Sequence, residues 1–230
     1  RAEGRTVFAP TRGAPELFAT DLGHVIYAAG VTADFRTRPF DTLRANTSLV
    51  AELLEKAVFE SFLYLSSARI YRHAEHSGEE AAIFVRSGDG EDFYDLTKLT
   101  GEAICHASGR KQVRVVRLSN VVGTDFRSQN FLFDLIRCAC DTGQVKLRSA
   151  LDSAKDYVLL QDILSLLPKI AIAGTQACYN LGSGQNLTHA ELLEPILAAT
   201  GAKLSINESA PRIIAPPIDI GRLRDEFGYQ

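Results

Sequence analysis

The sequence lacks the features that mark membrane, nucleic-acid-binding and disulfide-stabilised proteins. None of its apolar runs approaches the ~20 residues that a bilayer span needs, so we expect no membrane partner. Its formal net charge of -3 leaves no basic excess to neutralise phosphates, so nucleic acid is not an expected partner either. Only four cysteines occur, without a Cys-x-x-Cys or zinc-type spacing. We therefore expect no metal site, and structural thiols in the reducing cytoplasm.

The sequence also contains no methionine, not even at its start. It opens on Arg1–Arg5, a segment typical of a helix end that runs into a turn. We therefore expect a further N-terminal segment ahead of Arg1. The intact mass of the purified protein tests this expectation.

Apolar runs alternate with helical patterns along the first half of the chain. Leucine and alanine recur at helical spacing over 41–58 and 94–108, and Gly109 stops the second pattern. The runs between them are continuous and rich in Val, Ile and aromatic residues, which is typical of buried parallel strands. They lie at Thr6–Pro10, His24–Ala29, Phe62–Ser67 and Val113–Ser119. The alternation predicts an α/β fold with a doubly wound parallel sheet.

After Gly123 the elements become shorter and less regular, which predicts a smaller α+β lobe. Strands are predicted at 144–147 and 178–181. Thr188 and Glu191 have the spacing of a capping box and predict the start of a helix. The predicted helices of this part lie at about 130–142, 160–172 and 188–200.

Tyr94 and Lys98 form a Tyr-x-x-x-Lys pair inside the second helical pattern. Residues four apart share a helix face, so the ammonium lies beside the phenol. Tyrosine, with an ordinary pKa of ~10, is a poor acid or base at neutral pH, and a nearby cation favours the phenolate. The pair is therefore a candidate proton shuttle for alcohol and ketone chemistry. An exposed contact without function is the alternative interpretation.

Ser66 and Ser67 follow the apolar segment Phe62–Leu65, at the predicted carboxyl end of a buried strand. Open α/β sheets bind ligands at this end of their strands. A serine hydroxyl there can hydrogen-bond the same substrate oxygen that Tyr94 protonates or deprotonates. Capping of the strand end is the alternative interpretation of the two serines.

The order of these motifs resembles the extended short-chain dehydrogenase/reductases. More narrowly, it is similar to their NAD-dependent epimerase/dehydratase branch, which acts mostly on nucleotide sugars. The resemblance runs from about Val7 to Tyr229 and implies a Rossmann-like NAD(P)-binding domain over 1–123. Residues 124–230 would then form mainly a substrate-binding lobe, with some segments returning to the first domain. The segments that carry the resemblance are Ser66–Tyr71 (SSARIY), Tyr94–Lys98 (YDLTK), Arg117–Gly123 (RLSNVVG), Lys155–Asp162 (KDYVLLQD) and Tyr179–Gly184 (YNLGSG).

The resemblance implies roles for individual residues. Ser67, Tyr94 and Lys98 take the positions of the family's catalytic serine, tyrosine and lysine, and Ser67 also contacts substrate. Asn120 and Lys155 take positions near the substrate diphosphate. Lys155 stands in place of an arginine, so it supplies the charge without the bidentate fork. The residues implied to contact the cofactor are Ala28, Ala29, Gly30, Ser66, Tyr94 and Lys98.

Two departures from the family concern the cofactor. The Gly-rich turn that cradles the pyrophosphate is absent from the 230 residues and would lie in the expected N-terminal segment. The acidic residue that would hold the ribose 2′-hydroxyl of NAD is replaced by Thr11 and Arg12. Arg12 can meet a 2′-phosphate, so the expected cofactor is NADP or NAD, with NADP slightly favoured. A solvated loop arginine is the alternative.

Together these features predict an NAD(P)-dependent enzyme that transfers hydride at a carbon of a nucleotide sugar. Ala68 and Arg69 stand where 4,6-dehydratases have residues resembling Thr-Asp-Glu, so we expect an epimerase or a reductase instead. Two alternatives are a non-catalytic nucleotide-binding protein and a reductase of a non-sugar carbonyl. Analogy with the family also implies a homodimer, formed through the helices over 41–58 and 94–108.

Overall fold

The computed structural model describes residues 6–11, 13–31, 34–128, 130–207 and 209–230, which divide into two compact units. The first unit consists of the residues up to Ser67, Arg86–Val116 and Ser165–Tyr179. The second consists of Ala68–Val85, Arg117–Leu164 and Asn180–Gln230. Among the described residues, no helix is both long enough and apolar enough to cross a membrane.

The strands of the described residues form three sheets, in the orders β1-β2-β3-β7, β4-β6-β8 and β5-β9. The chain order of the strands is His24–Tyr27 (β1), Ser61–Ser67 (β2), Val113–Leu118 (β3), Asn120–Val122 (β4), Gln144–Leu147 (β5), Ala154–Leu159 (β6), Cys178–Leu181 (β7), Asn186–Thr188 (β8) and Lys203–Ile206 (β9).

The helices flank these strands in the sequence, as the alternating pattern predicts. In chain order they are Glu16–Ala19 (α1), Pro39–Leu43 (α2), Leu49–Lys56 (α3), Asp92–Ala107 (α4), Phe131–Thr142 (α5), Leu160–Ala173 (α6), His189–Thr200 (α7) and Gly221–Phe227 (α8). A π-helical turn, Arg44–Ser48, joins α2 to α3, and a 3-10 helix, Ala68–His73, follows β2.

The first unit confirms the predicted α/β fold. β1 and β2 pair in parallel, with His24 opposite Ser61 and Tyr27 opposite Tyr64. These strands alternate with helices along the chain, which is why their apolar runs are nearly continuous rather than alternating. The buried side chains of this core come from β1, α3, β2, α4, β3 and β7: Tyr27, Val50, Leu53, Leu54, Ala57, Phe62, Tyr64, Cys105, Val113, Val115 and Cys178.

The predicted strand at Thr6–Pro10 is wrong, because residues 6–11 form no regular secondary structure. No strand among the described residues pairs with this segment. Its backbone therefore lacks the ladder of hydrogen bonds that makes an apolar run a strand. Val7 and Phe8 are accordingly more than half exposed.

The second unit contains mixed α and β elements. β6 pairs in parallel with β4 and antiparallel with β8, while β5 and β9 pair in parallel. Leu135 and Ala139 of α5 and Leu193 of α7 pack with residues of β5 in a separate core. The predicted capping box of α7 is confirmed: Glu191 N donates to Thr188 Oγ1 and Thr188 N donates to Glu191 Oε2.

Candidate active site

The three residues proposed to be catalytic lie in the first unit, on β2 and α4. Ser66 and Ser67 are the last two residues of β2, in which Phe62–Tyr64 are buried and Leu65 is partly buried. Tyr94 and Lys98 lie one turn apart on α4, and both are almost completely buried. The pair therefore lies inside the protein, and its burial excludes the alternative interpretation, an exposed contact without function.

Lys98 is held between α4 and the end of β2. Its Nζ donates a 2.8 Å hydrogen bond to the carbonyl oxygen of Leu65, and its side chain is only 4% exposed. The ammonium lies 5.1 Å from the ring centroid of Tyr64 and 5.9 Å from that of Tyr94, within cation–π range. Burial lowers the pKa of Lys98 to about 8, and the charge of Glu102 acts in the opposite direction. Near neutral pH, Lys98 therefore remains mostly a cation beside Tyr94.

The ring of Tyr94 packs against the loop that follows β1. The Phe35 ring lies 5.3 Å from the Tyr94 ring, and Phe35 is buried although its neighbours in sequence are charged. Arg36 donates two hydrogen bonds to the carboxylate of Glu91, the residue before α4. This ion pair ties the loop to the start of the helix that carries Tyr94. Nothing in the sequence singles out Phe35, because a single aromatic residue among charges is typical of a surface loop.

Gly30 allows the chain after β1 to approach Lys98 closely. β1 ends at Tyr27, two residues earlier than predicted, so Ala28, Ala29 and Gly30 all follow the strand. A Cβ atom on Gly30 would lie 2.9 Å from Lys98 Nζ and 2.7 Å from Asn46 Oδ1. Both distances are shorter than a normal contact, so only glycine fits there without movement of a neighbour.

Asn46 is a site residue that the sequence analysis missed. It is fully buried in the π-helical turn, where its Nδ2 donates a 3.0 Å hydrogen bond to Thr97 Oγ1 and its carbonyl accepts one from Tyr64. Its Oδ1 accepts no hydrogen bond from the described residues, although buried polar atoms normally find a partner. The only available signal was the polar group Asn46–Ser48, which interrupts an otherwise apolar helical pattern.

Glu102 was also missed. It lies one turn beyond Lys98 on α4 and is 3% exposed. Its Oε1 accepts a hydrogen bond from the Ser66 hydroxyl, and this contact is buried. The spacing from Lys98 to Glu102 is again four residues, so the sequence did contain the signal that these two share a helix face.

The two predicted diphosphate contacts lie in the second unit. Asn120 begins β4, and its Nδ2 donates a 2.7 Å hydrogen bond to the carbonyl oxygen of Asp156 on β6. Ser119 donates to the same carbonyl, also at 2.7 Å. The Asn120 side chain is thereby fixed at the start of its strand. Its Oδ1 is not used by this contact.

Lys155 lies on β6 within a cluster of basic side chains. Burial lowers the pKa of Lys155, and the positive charge of Arg69 lowers it further. The Lys155 ammonium is 5.3 Å from the Phe131 ring centroid, and the same ring lies 4.7 Å from His189. His189 Nδ1 is 3.0 Å from Ser149 Oγ, and burial together with the charge of Lys155 lowers the pKa of His189. A site with the Lys155 and Arg69 cations suits an anionic ligand.

The structure thus brings together Gly30, Ser66 and Lys98 with Tyr94 in one unit, and Asn120 and Lys155 belong to the other. Arg12, the predicted 2′-phosphate contact, lies outside the described residues.

The fold and these motifs define an α/β protein of the extended short-chain dehydrogenase/reductase type. A family model described as the NAD dependent epimerase/dehydratase family matches residues 14–182, well over half of the chain. The chain belongs to this family. A comparison with curated proteins gives no significant match.

Solved structures of two nucleotide-sugar enzymes and of one NADPH complex share the fold. RMD from Pseudomonas aeruginosa, solved with NADPH, superposes with a TM-score of 0.71 at 24% identity, over 91% of this chain and 75% of that one. The NAD-dependent NDP-hexosamine 5,6-dehydratase TunA superposes with a TM-score of 0.75 at 19% identity, over 91% of this chain and 71% of that one. UDP-glucuronic acid 4-epimerase from Bacillus cereus was solved with NAD and UDP-glucuronic acid. It superposes with a TM-score of 0.69 at 16% identity, over 90% of this chain and 67% of that one.

Proposed function

We propose that this chain is an NAD(P)-dependent epimerase or reductase of a nucleotide sugar, with Tyr94 as the group that moves the proton. The observation that carries the proposal is the buried Tyr94–Lys98 pair, fixed to the carboxyl end of β2 through Leu65. This is the end of the sheet where α/β proteins bind ligands. The family and the nucleotide-sugar enzymes among the similar structures support the proposal.

In the proposed reaction, Tyr94 exchanges a proton with a hydroxyl or carbonyl oxygen of the sugar. The Lys98 ammonium favours the phenolate, and Ser67 at the end of β2 donates a hydrogen bond to the same oxygen. When bound, the nicotinamide cofactor supplies or accepts the hydride at that carbon. An epimerase uses the proton transfer in both directions, whereas a reductase uses it in one. Ala68 and Arg69 after Ser67 disfavour a 4,6-dehydratase.

The first unit is proposed to hold the nicotinamide end of such a cofactor. Without a side chain, Gly30 lets the backbone lie close to Lys98 and to Asn46, whose buried Oδ1 accepts no hydrogen bond from the described residues and supports a polar ligand there. Lys98 would hold the nicotinamide ribose. The other proposed cofactor contacts are Ala28, Ala29, Gly30, Ser66 and Tyr94, with Arg12 favouring NADP over NAD. Similar structures include complexes with either cofactor, so titrations with NADPH and NADH decide the preference.

The second unit is proposed to bind the diphosphate of the sugar nucleotide. Asn120 and Lys155 are the predicted contacts, and Arg69 adds a second cation near Lys155. Two neighbouring cations repel each other, so a diphosphate between them would be stabilised by both. Residues from about 124 onward would then form mainly the substrate lobe. We also propose a cytoplasmic location, where the four cysteines of the chain would stay reduced.

Substitution of Tyr94 by phenylalanine tests the proposal. The variant Tyr94→Phe keeps the ring that packs on Phe35 and loses only the hydroxyl. We expect a fall of about 100-fold or more in kcat, since general acid–base catalysis contributes about that much, with unchanged affinity for the cofactor. Turnover of nucleotide sugars and cofactor fluorescence measure the two quantities.

Tyr229→Phe is the matched control, because that hydroxyl belongs to the second unit, where it donates a hydrogen bond to Asp162. It should leave kcat and cofactor affinity unchanged. A wild-type protein that binds the cofactor but turns over no nucleotide sugar would favour the non-catalytic binding protein. Turnover of simple aldehydes or ketones alone, lost in Tyr94→Phe, would favour the non-sugar reductase.

A further inference from the structure

Ser66 and Glu102 connect the end of β2 to α4 beside Lys98. Ser66 directly follows Leu65, whose carbonyl oxygen accepts the Lys98 hydrogen bond. One helical turn beyond Lys98, the Glu102 carboxylate accepts the Ser66 hydroxyl. Two consecutive residues of the strand therefore hold two consecutive turns of the helix, and both side chains of the second contact are buried.

The position of Glu102 is set by close packing of α4. Gly101, the residue before it, lies so near the π-helical turn that an added Cβ would be 2.5 Å from Asn46 O and from Tyr64 Oη. Tyr64 Oη is itself fixed by its 2.9 Å hydrogen bond to Asn46 O. The helix thus has little freedom to slide, and the Glu102 side chain stays near Lys98.

A charged lysine in an apolar interior is unfavourable unless an opposite charge lies nearby. The Lys98 ammonium donates to a neutral acceptor, Leu65 O, and lies near the aromatic rings of Tyr64 and Tyr94. Glu102 supplies negative charge one turn away on the same helix. The Ser66 hydroxyl in turn satisfies one oxygen of that buried carboxylate, as buried polar groups require.

We propose that Glu102, anchored by Ser66, is a positioning residue that keeps the Lys98 ammonium charged and directed towards Tyr94. The inference rests on the proposed function of Lys98. Glu102 acts through Lys98 and touches neither of the reacting groups in the proposed reaction. In this role Ser66 holds the Glu102 carboxylate, in addition to its proposed contact with the cofactor.

The test is Glu102→Gln, which removes the charge but keeps an oxygen that accepts from Ser66. Without the carboxylate, Lys98 loses its proton at lower pH. We expect the alkaline limb of the kcat/KM profile to move down by about one pH unit, because a neighbouring opposite charge shifts a pKa by 1–3 units. The Lys98 signal in NMR titrations of lysine-labelled protein, assigned by its loss in Lys98→Met, should move by a similar amount.

Two further variants make the result specific. Glu52→Gln removes the same charge from an exposed pair with Lys56 on α3. It should shift neither the kcat/KM profile nor the Lys98 titration. Glu102→Asp keeps the charge with a shorter side chain. Its alkaline limb in the kcat/KM profile should therefore lie close to that of the wild type. If Glu102→Gln fails to fold in thermal melts, Ser66→Ala takes its place, because it releases the Glu102 carboxylate and should also lower the pH at which Lys98 titrates.

An unchanged Lys98 titration in a folded Glu102→Gln protein, or an equal shift in Glu52→Gln, would overturn the proposal. The NMR arm needs no substrate. If wild-type protein turns over no nucleotide sugar, the proposed function fails, while the Lys98 titration still decides whether Glu102 controls its charge.

Discussion

At Gly30 the backbone beyond β1 comes close to Lys98, and no larger residue fits at this position without moving a neighbour. Its dihedral angles do not require glycine, because Gly30 is not among the described glycines that have a positive φ. The requirement is steric. Lys98 Nζ and Asn46 Oδ1 occupy the space into which a Cβ would project.

We therefore expect Gly30→Ala to lower kcat/KM by about 10- to 100-fold, because the added methyl displaces Lys98 and a shift of ~1 Å in a catalytic group has effects of that size. Cofactor affinity should fall as well. Steady-state kinetics and cofactor titration check both. Gly90→Ala is the control, since an added Cβ there meets nothing within 4 Å and both quantities should be unaffected.

Residue-level prediction from the sequence works where the relation is local. Tyr94 and Lys98 are four residues apart, so helix geometry alone indicates that they are neighbours, and the structure has them on one buried face. Ser66 and Glu102 are 36 residues apart. Their contact depends on how α4 packs on β2, which no spacing in the sequence encodes.

At the scale of elements, the packing of α4 on the π-helical turn explains why one predicted helix is divided. Apolar spacing continues over 41–58, so the pattern predicts a single helix. The structure instead has α2, the π-helical turn and α3. Hydrogen bonds from Asn46 Nδ2 to Thr97 and from Tyr64 to Asn46 O hold the widened turn. These tertiary contacts override the local preference for a regular helix.

Gly101 tests this packing. Gly→Ala in a helix interior normally stabilises by about 1 kcal/mol. Here the Cβ would meet the Asn46 carbonyl at 2.5 Å, and backbone cannot move aside as a flexible side chain can. Overpacking of this kind costs about 1–3 kcal/mol, so we expect a net loss of stability and a lower Tm. Thr100→Ala, at the exposed neighbouring position, should leave Tm unchanged or higher; an equal Tm for wild type and Gly101→Ala would contradict the tight packing.

At the scale of the whole molecule, regular alternation of apolar runs and helices predicted the α/β fold, and the run at Cys178–Leu181 coincides with β7. The second unit was less predictable. β4 and β8 have only three residues each, too few to show a period. β6 overlaps the segment Lys155–Asp162, which the sequence analysis interpreted through its ligand-contact motif and not as a strand. Sheets made of such short strands are determined by partners that are distant in sequence.

The assembly of the molecule is the property that remains a prediction: we propose a homodimer formed through α2, α3 and α4. Phe40 and Leu43 lie three residues apart on α2, so they share a face, and Phe40 is 73% exposed. An exposed pair of large apolar side chains on one helix favours contact with a second copy over contact with water.

Light scattering after size exclusion should therefore give twice the chain mass at high micromolar concentration. The double variant Phe40→Glu with Leu43→Glu should halve that mass, because two like charges on each copy would be buried against each other. Phe84→Glu replaces another strongly exposed phenylalanine outside these helices and should leave the dimer intact. A monomeric wild type would contradict the prediction, and a dimer that survives the double variant would assign the interface to another surface.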